Sequence, residues 1–83
     1  MKVTVKYFAS IREAIGVSSE SVTTSATTLA ALRDELIAQG GAYAESLARG
    51  RSVRLALNQV MCDESVALVE GAEVAFFPPV TGG

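Results

Sequence analysis

Residues 2–8 alternate with a period of two. Val3, Val5 and Tyr7 fall on one face, and Lys2, Thr4, Lys6 and Phe8 on the other. That alternation predicts a half-buried strand whose lysine-bearing face meets water. Ile11 to Ile15 then reads as a short helical turn closed by Gly16, and Ser19 to Thr24 as a second strand carrying Val22. Residues 2–24 thus form a hairpin with a wide connection. At Thr28 the period changes. Its hydroxyl is placed to cap a helix, and Leu29, Leu32, Leu36 and Ile37 follow as one apolar stripe, with Arg33, Asp34 and Gln39 off it. Gly40-Gly41 is expected to end this helix in the left-handed cap conformation. Tyr43 and Leu47 predict a further helical turn at the edge.

The period of two returns at Val53, Leu55 and Leu57, interleaved with Arg54, Ala56 and Asn58. Asn58-Gln59 marks a turn into a short fourth strand, Val60 to Cys62. Residues 63–72 read as a loop with Leu68 and Val69 tucked inward and a turn at Glu70-Gly71. Glu73 to Phe77 is the last strand, and Pro79 cannot donate to a ladder, so pairing ends there. Hairpin, helix, short strands and final strand suit an α+β domain with one main helix packed across a mixed sheet. Connections of this kind produce a β-grasp fold, with the first and last strands parallel at the centre. The expected division is a folded body, 1–77, and an extended tail, 78–83.

One feature conflicts with simple alternation. Phe8 sits on the wet face of the first strand, and Phe77 sits with Glu73 and Ala75 on the outward face of the last, while Val74 and Phe76 point to the core. If those strands are parallel neighbours, the two rings meet at one end of the open face. Met61 joins them if the fourth strand presents it outward. Contiguous exposed apolar area of this kind marks a docking patch; the alternative is that one ring folds back under a loop.

Composition narrows the chemistry. Eighty-three residues make one domain with a modest core. Seven basic and nine acidic residues leave a net charge of −2, which argues against nucleic-acid binding. Arg49, Arg51 and Arg54 read as a trio that solubilises a loop and the outer face of a strand. Cys62 is the single cysteine, so it forms no internal disulfide, and it reads as a small packed hydrophobe rather than a sulfur relay. No apolar run approaches a membrane span and the chain opens directly on a strand, so a cytoplasmic location is expected. There is no histidine, no zinc or cluster ligand set, and no phosphate-cradling loop. Asp63-Glu64 and Asp34-Glu35 read as solvated surface. Such a chain makes a poor enzyme alone and a plausible substrate or carrier for other enzymes.

The last residues carry the remaining information. Phe76-Phe77-Pro78-Pro79-Val80-Thr81-Gly82-Gly83 has no charged side chain after Glu73, so it can enter an apolar tunnel without desolvating any charge but its own carboxylate. A terminal glycine pair alone arises by chance in roughly one chain in two hundred; the FFPPVT before it gives it meaning.

These residues resemble the small subunits of molybdopterin synthases, a family of ubiquitin-like sulfur carriers. The resemblance spans essentially the whole chain: the strand Val3–Ala9 with Ile11-Arg12-Glu13, the Leu29–Leu36 helix, Leu57-Asn58-Gln59, and the run from Glu70 to Gly83. It implies a carrier that binds no metal and no cofactor of its own. An adenylating activating enzyme uses ATP on the Gly83 carboxylate, and a persulfide sulfur donor converts it to a transient thiocarboxylate. Gly83 would therefore be the reacting residue. Gly82, Thr81, Val80, Pro79 and Pro78 would thread into the large synthase subunit, in an expected heterotetramer, and Phe77, Phe8 and Met61 would dock on it. No nucleic acid or membrane is involved. Local chemistry suits these roles: glycines admit close backbone approach, and the prolines stiffen the tail root, lowering the entropy lost on threading. The rival readings are a sulfur carrier for thiamine or a thiolated nucleoside, a modifier joined to lysines through Gly83, and a plain interaction module.

Overall fold

The computed structural model describes residues 1–79, and Val80, Thr81, Gly82 and Gly83 lie outside the described residues. Its elements run β1 (Lys2–Tyr7), α1 (Ala9–Ile15), β2 (Ser19–Thr23), α2 (Leu29–Ile37), α3 (Gly41–Leu47), β3 (Arg54–Leu57), β4 (Val60–Cys62) and β5 (Glu73–Phe77). They form a five-stranded sheet in the order β2-β1-β5-β3-β4. β1 and β5 are parallel at its centre, with Val5 opposite Val74 and Tyr7 opposite Phe76, and the outer pairings are antiparallel. This is the mixed α+β arrangement that the order of elements predicts.

One face of the sheet is covered. Val3, Val5, Tyr7, Val74 and Phe76 point under the helices, where Leu29, Leu32 and Leu36 of α2 and Leu47 of α3 are fully buried with them. Burying side chains of this size contributes about 1.5–3 kcal/mol each, which makes this layer the main source of stability. Tyr7 stacks on Phe76 at 6.2 Å between ring centroids and meets the edge of Tyr43. Both phenols donate to the same Glu20 Oε2, Tyr7 at 2.6 Å and Tyr43 at 2.7 Å. Burial first, and then the Glu20 carboxylate, push the Tyr7 phenol well above its ordinary range.

The α2 start satisfies three orphan backbone donors. Thr28 Oγ1 accepts from the Ala31 N–H at 3.2 Å, as its position predicts. The loop after β4 supplies the other acceptors: Val66 O takes the Leu29 N–H and Glu64 O takes the Ala30 N–H. That loop is thereby fixed against the helix, and Leu68 is buried within it.

At several positions the structure departs from what the sequence pattern predicts. Val69 is 54% exposed: with Leu68 turned inward, its neighbour on the extended segment leaving it points out toward the Glu70-Gly71 turn. Arg33, expected off the apolar stripe of α2, is buried with it. Its Nε donates to Leu47 O at 2.7 Å, Nη2 to Ala48 O at 3.1 Å, and Nη1 to Glu64 at 3.0 Å, so it ties the end of α3 and the loop to α2. Arg49 pairs with Asp34 and Glu64 and donates to Ala30 O, so it joins elements rather than merely solvating a loop. Asp34 and Glu64 are correspondingly anchors of structure, and Glu35 accepts from the Thr24 hydroxyl. Leu47 makes α3 part of the core and not an edge. Gly40-Gly41 separates two helices instead of capping one: α2 closes on right-handed Ala38, and Gly40 (φ 76°, ψ −169°) takes a conformation reserved for glycine to start α3.

Candidate functional site

The other face of the sheet is open, and its cross-strand row Lys6–Ala75–Ala56–Met61 shows how it is filled. Ala75 is buried despite lying on this face, because a small side chain on a central strand has little to expose beside longer neighbours. Lys6 meets Glu73 at 3.3 Å. Two residues further along β1 and β5, on the same face, the character changes from polar to apolar.

There Phe8 and Phe77 stack, with ring centroids 4.6 Å apart and planes 9° from parallel. The parallel register delivers this directly, since Tyr7–Phe76 is the last ladder pair and each strand carries one more aromatic beyond it. The Phe8 N–H donates to Phe76 O at 3.2 Å, which holds the two strand ends together. Ala9, at φ 50°, then turns the chain sharply into α1. A left-handed alanine is held at a cost of about 1–2 kcal/mol, while Phe8 itself keeps the extended backbone of β1 (φ −125°, ψ 152°). Sequence gave no signal for this turn.

Phe8 and Phe77, with Met61, Arg54, Ala9 and both prolines, line a shallow groove of about 430 Å³. Met61 is 55% exposed and Phe8 37% exposed, while Phe77 is half-buried beneath its partner ring. The structure thus brings Phe8, Phe77, Met61, Pro78 and Pro79 together. Pro78 and Pro79 also line a second hollow of about 240 Å³ on the helical side, against Ile11, Ser46 and Arg51. The tail root therefore stands between two grooves, with Val80 next in the chain. Val80, Thr81, Gly82 and Gly83, the expected reacting end, lie outside the described residues.

The rest of the molecule offers little rival chemistry. Cys62 is half-buried, and burial, reinforced by the Asp63 charge, pushes its thiol up and away from the nucleophilic thiolate. Asp63 is held low by hydrogen bonds from the Ser65 hydroxyl and N–H. Among the described residues no group of three metal-ligating side chains converges. Among the described residues no helix is long and apolar enough to cross a membrane.

A parallel β1–β5 centre, a crossing helix and a C-terminal tail leaving the last strand define a ubiquitin-like β-grasp protein. Residues 5–83 match the ThiS family, and the chain belongs to that family. It is 40% identical to the molybdopterin synthase sulfur carrier subunit of Escherichia coli (strain K12), over 95% of this chain and 96% of that one. Among solved structures it is similar to the protein-protein complex of subunits 1 and 2 of the molybdopterin-converting factor from Helicobacter pylori 26695, with a TM-score of 0.71, 28% identity and full coverage of both chains. It is also similar to small archaeal modifier protein 1 of H. volcanii, with a TM-score of 0.71 and 25% identity over 95% of this chain and 98% of that one.

Proposed function

We propose that this chain is a sulfur carrier in molybdenum cofactor synthesis, working as the small subunit of a molybdopterin synthase. The observation that supports it most strongly is 40% identity to a curated carrier across nearly the full length of both proteins. The groove of Phe8, Met61 and Phe77 at the tail root supports it physically, as an apolar seat beside the segment that must be threaded.

In this reading the Gly83 carboxylate attacks the α-phosphate of ATP in an activating enzyme, and pyrophosphate leaves. The acyl-adenylate is electrophilic where the free carboxylate was not, because the negative charge no longer spreads over both oxygens. A persulfide sulfur displaces AMP, and a thiol cleaves the resulting acyl disulfide to leave the thiocarboxylate. The tail then enters the large subunit, guided by Pro78 and Pro79, and the sulfur attacks the pyranopterin precursor; water cleaves the resulting thioester, leaving the sulfur on the precursor and Gly83 as a free carboxylate. Two such transfers complete the dithiolene. The chain binds no cofactor of its own, and it contributes the carbonyl carbon and the docking surface.

Deleting Gly83 abolishes sulfur transfer in an assay with the activating enzyme and large subunit, and leaves the thermal midpoint unchanged. Normal transfer by the deletion variant overturns the mechanism. The likeness to an archaeal modifier favours a second reading, attachment to lysines through Gly83. A lysine-linked product in place of the thiocarboxylate identifies it.

A further inference from the structure

We infer that Arg54 reads charge in the tail-root groove, and that the protein seated there sets a carboxylate against its guanidinium. This rests on the proposal that the groove docks the large synthase subunit. Arg54 lies opposite Phe77 in the β3–β5 register and is exposed in the same groove as Phe8 and Met61. Among the described residues, those lining that groove include no carboxylate. On the same face Lys6 is paired with Glu73, whereas Arg54 has no ion pair or side-chain hydrogen bond among the described residues. Asp63, in the adjoining hollow, is engaged by Ser65.

A partner that covers the Phe8–Phe77 stack therefore brings Arg54 into a drier setting. Covering an unpaired guanidinium is unfavourable, and a facing carboxylate reverses the sign. Arg54 thereby selects among apolar surfaces by rejecting those without an acid at that point. A phosphate-bearing small molecule is a poorer occupant, because Pro78 and Pro79 have no N–H to offer and, among the described residues, one cation lines the groove.

The test is titration of the fluorescently labelled chain with its cognate large subunit at low and high salt. Arg54→Gln weakens binding about tenfold at low salt and flattens the salt dependence, and Arg54→Glu weakens it further. Arg54→Lys restores most of the salt dependence. Thermal midpoints stay at the wild-type value, since the side chain is exposed. Wild-type affinity for both Arg54→Gln and Arg54→Glu, with weak binding by Phe77→Asp, overturns the role of Arg54 and leaves the docking reading intact. Normal binding by Phe77→Asp removes the docking reading and this inference with it. So does concentration-dependent dimerisation of the free chain that Arg54→Glu abolishes, because the groove then covers a second copy.

Discussion

Tyr7 and Phe8 are consecutive, as are Phe76 and Phe77, yet each pair splits between two kinds of environment. Tyr7 and Phe76 are sealed under the helices, with the phenol hydrogen-bonded to Glu20. Phe8 and Phe77 stack one residue further on, at the rim of a groove that opens to solvent. A strand sends successive side chains to opposite faces, so a single step along the backbone separates a residue that holds the fold from one available to a partner. Aromatic content alone therefore says nothing about role here. Register does, because the parallel β1–β5 pairing brings both stacks together at the same end of the sheet.

Substitutions on the two sides should separate stability from binding. Phe76→Ala gives the largest loss of stability, about 3–5 kcal/mol, because it empties a fully buried site between Tyr7 and the helices; urea unfolding measures it. Arg33→Ala costs about 2–3 kcal/mol in the same experiment, since it strips the Leu47 and Ala48 carbonyls of their donor. Tyr7→Phe costs about 1.5 kcal/mol at neutral pH through the lost bond to Glu20. The pH dependence follows from the same contact. The folded-state phenol holds its proton above the ordinary value of 10.0, so its stabilisation is complete below that pH and is lost as pH rises beyond it. The urea midpoint of the wild type therefore falls above pH 10, and the gap to Tyr7→Phe narrows. Phe77→Asp has the smallest effect on folding, about 1 kcal/mol from the lost stack. It nonetheless weakens the large-subunit complex more than tenfold. Unfolding by Phe77→Asp, or full affinity in it, breaks the division between the two stacks.

Much of this was legible in the sequence where a local rule was at work. The β1 alternation, the Thr28 cap, the Asn58-Gln59 turn and the meeting of Phe8 with Phe77 all follow from periodicity or turn chemistry. Arg33 was not legible, because a charged residue off an apolar stripe looks solvated until the carbonyls of a distant helix end arrive to receive it. Val69 was misjudged for a related reason: within a loop, exposure is decided by tertiary surroundings; Ala75 lies on the outward face as its parity predicts, and only its burial depends on its neighbours. Of the candidate site, Phe8 and Phe77 were identifiable from strand parity, Met61 once β4 presents it outward, and the prolines from the tail that follows the last strand. The Ala9 turn and the placement of Arg54 beside the stack were not, since both depend on where β1 and β3 end relative to β5.

The most direct test of the account is the mass of the C-terminal peptide from the chain purified from its own cells. The peptide is alkylated first, so that sulfur on Gly83 is not mistaken for oxidised methionine. A sulfur carrier shows exchange of one oxygen for sulfur, localised to Gly83. A Gly83 carboxylate found only free, or only joined to lysine, contradicts it.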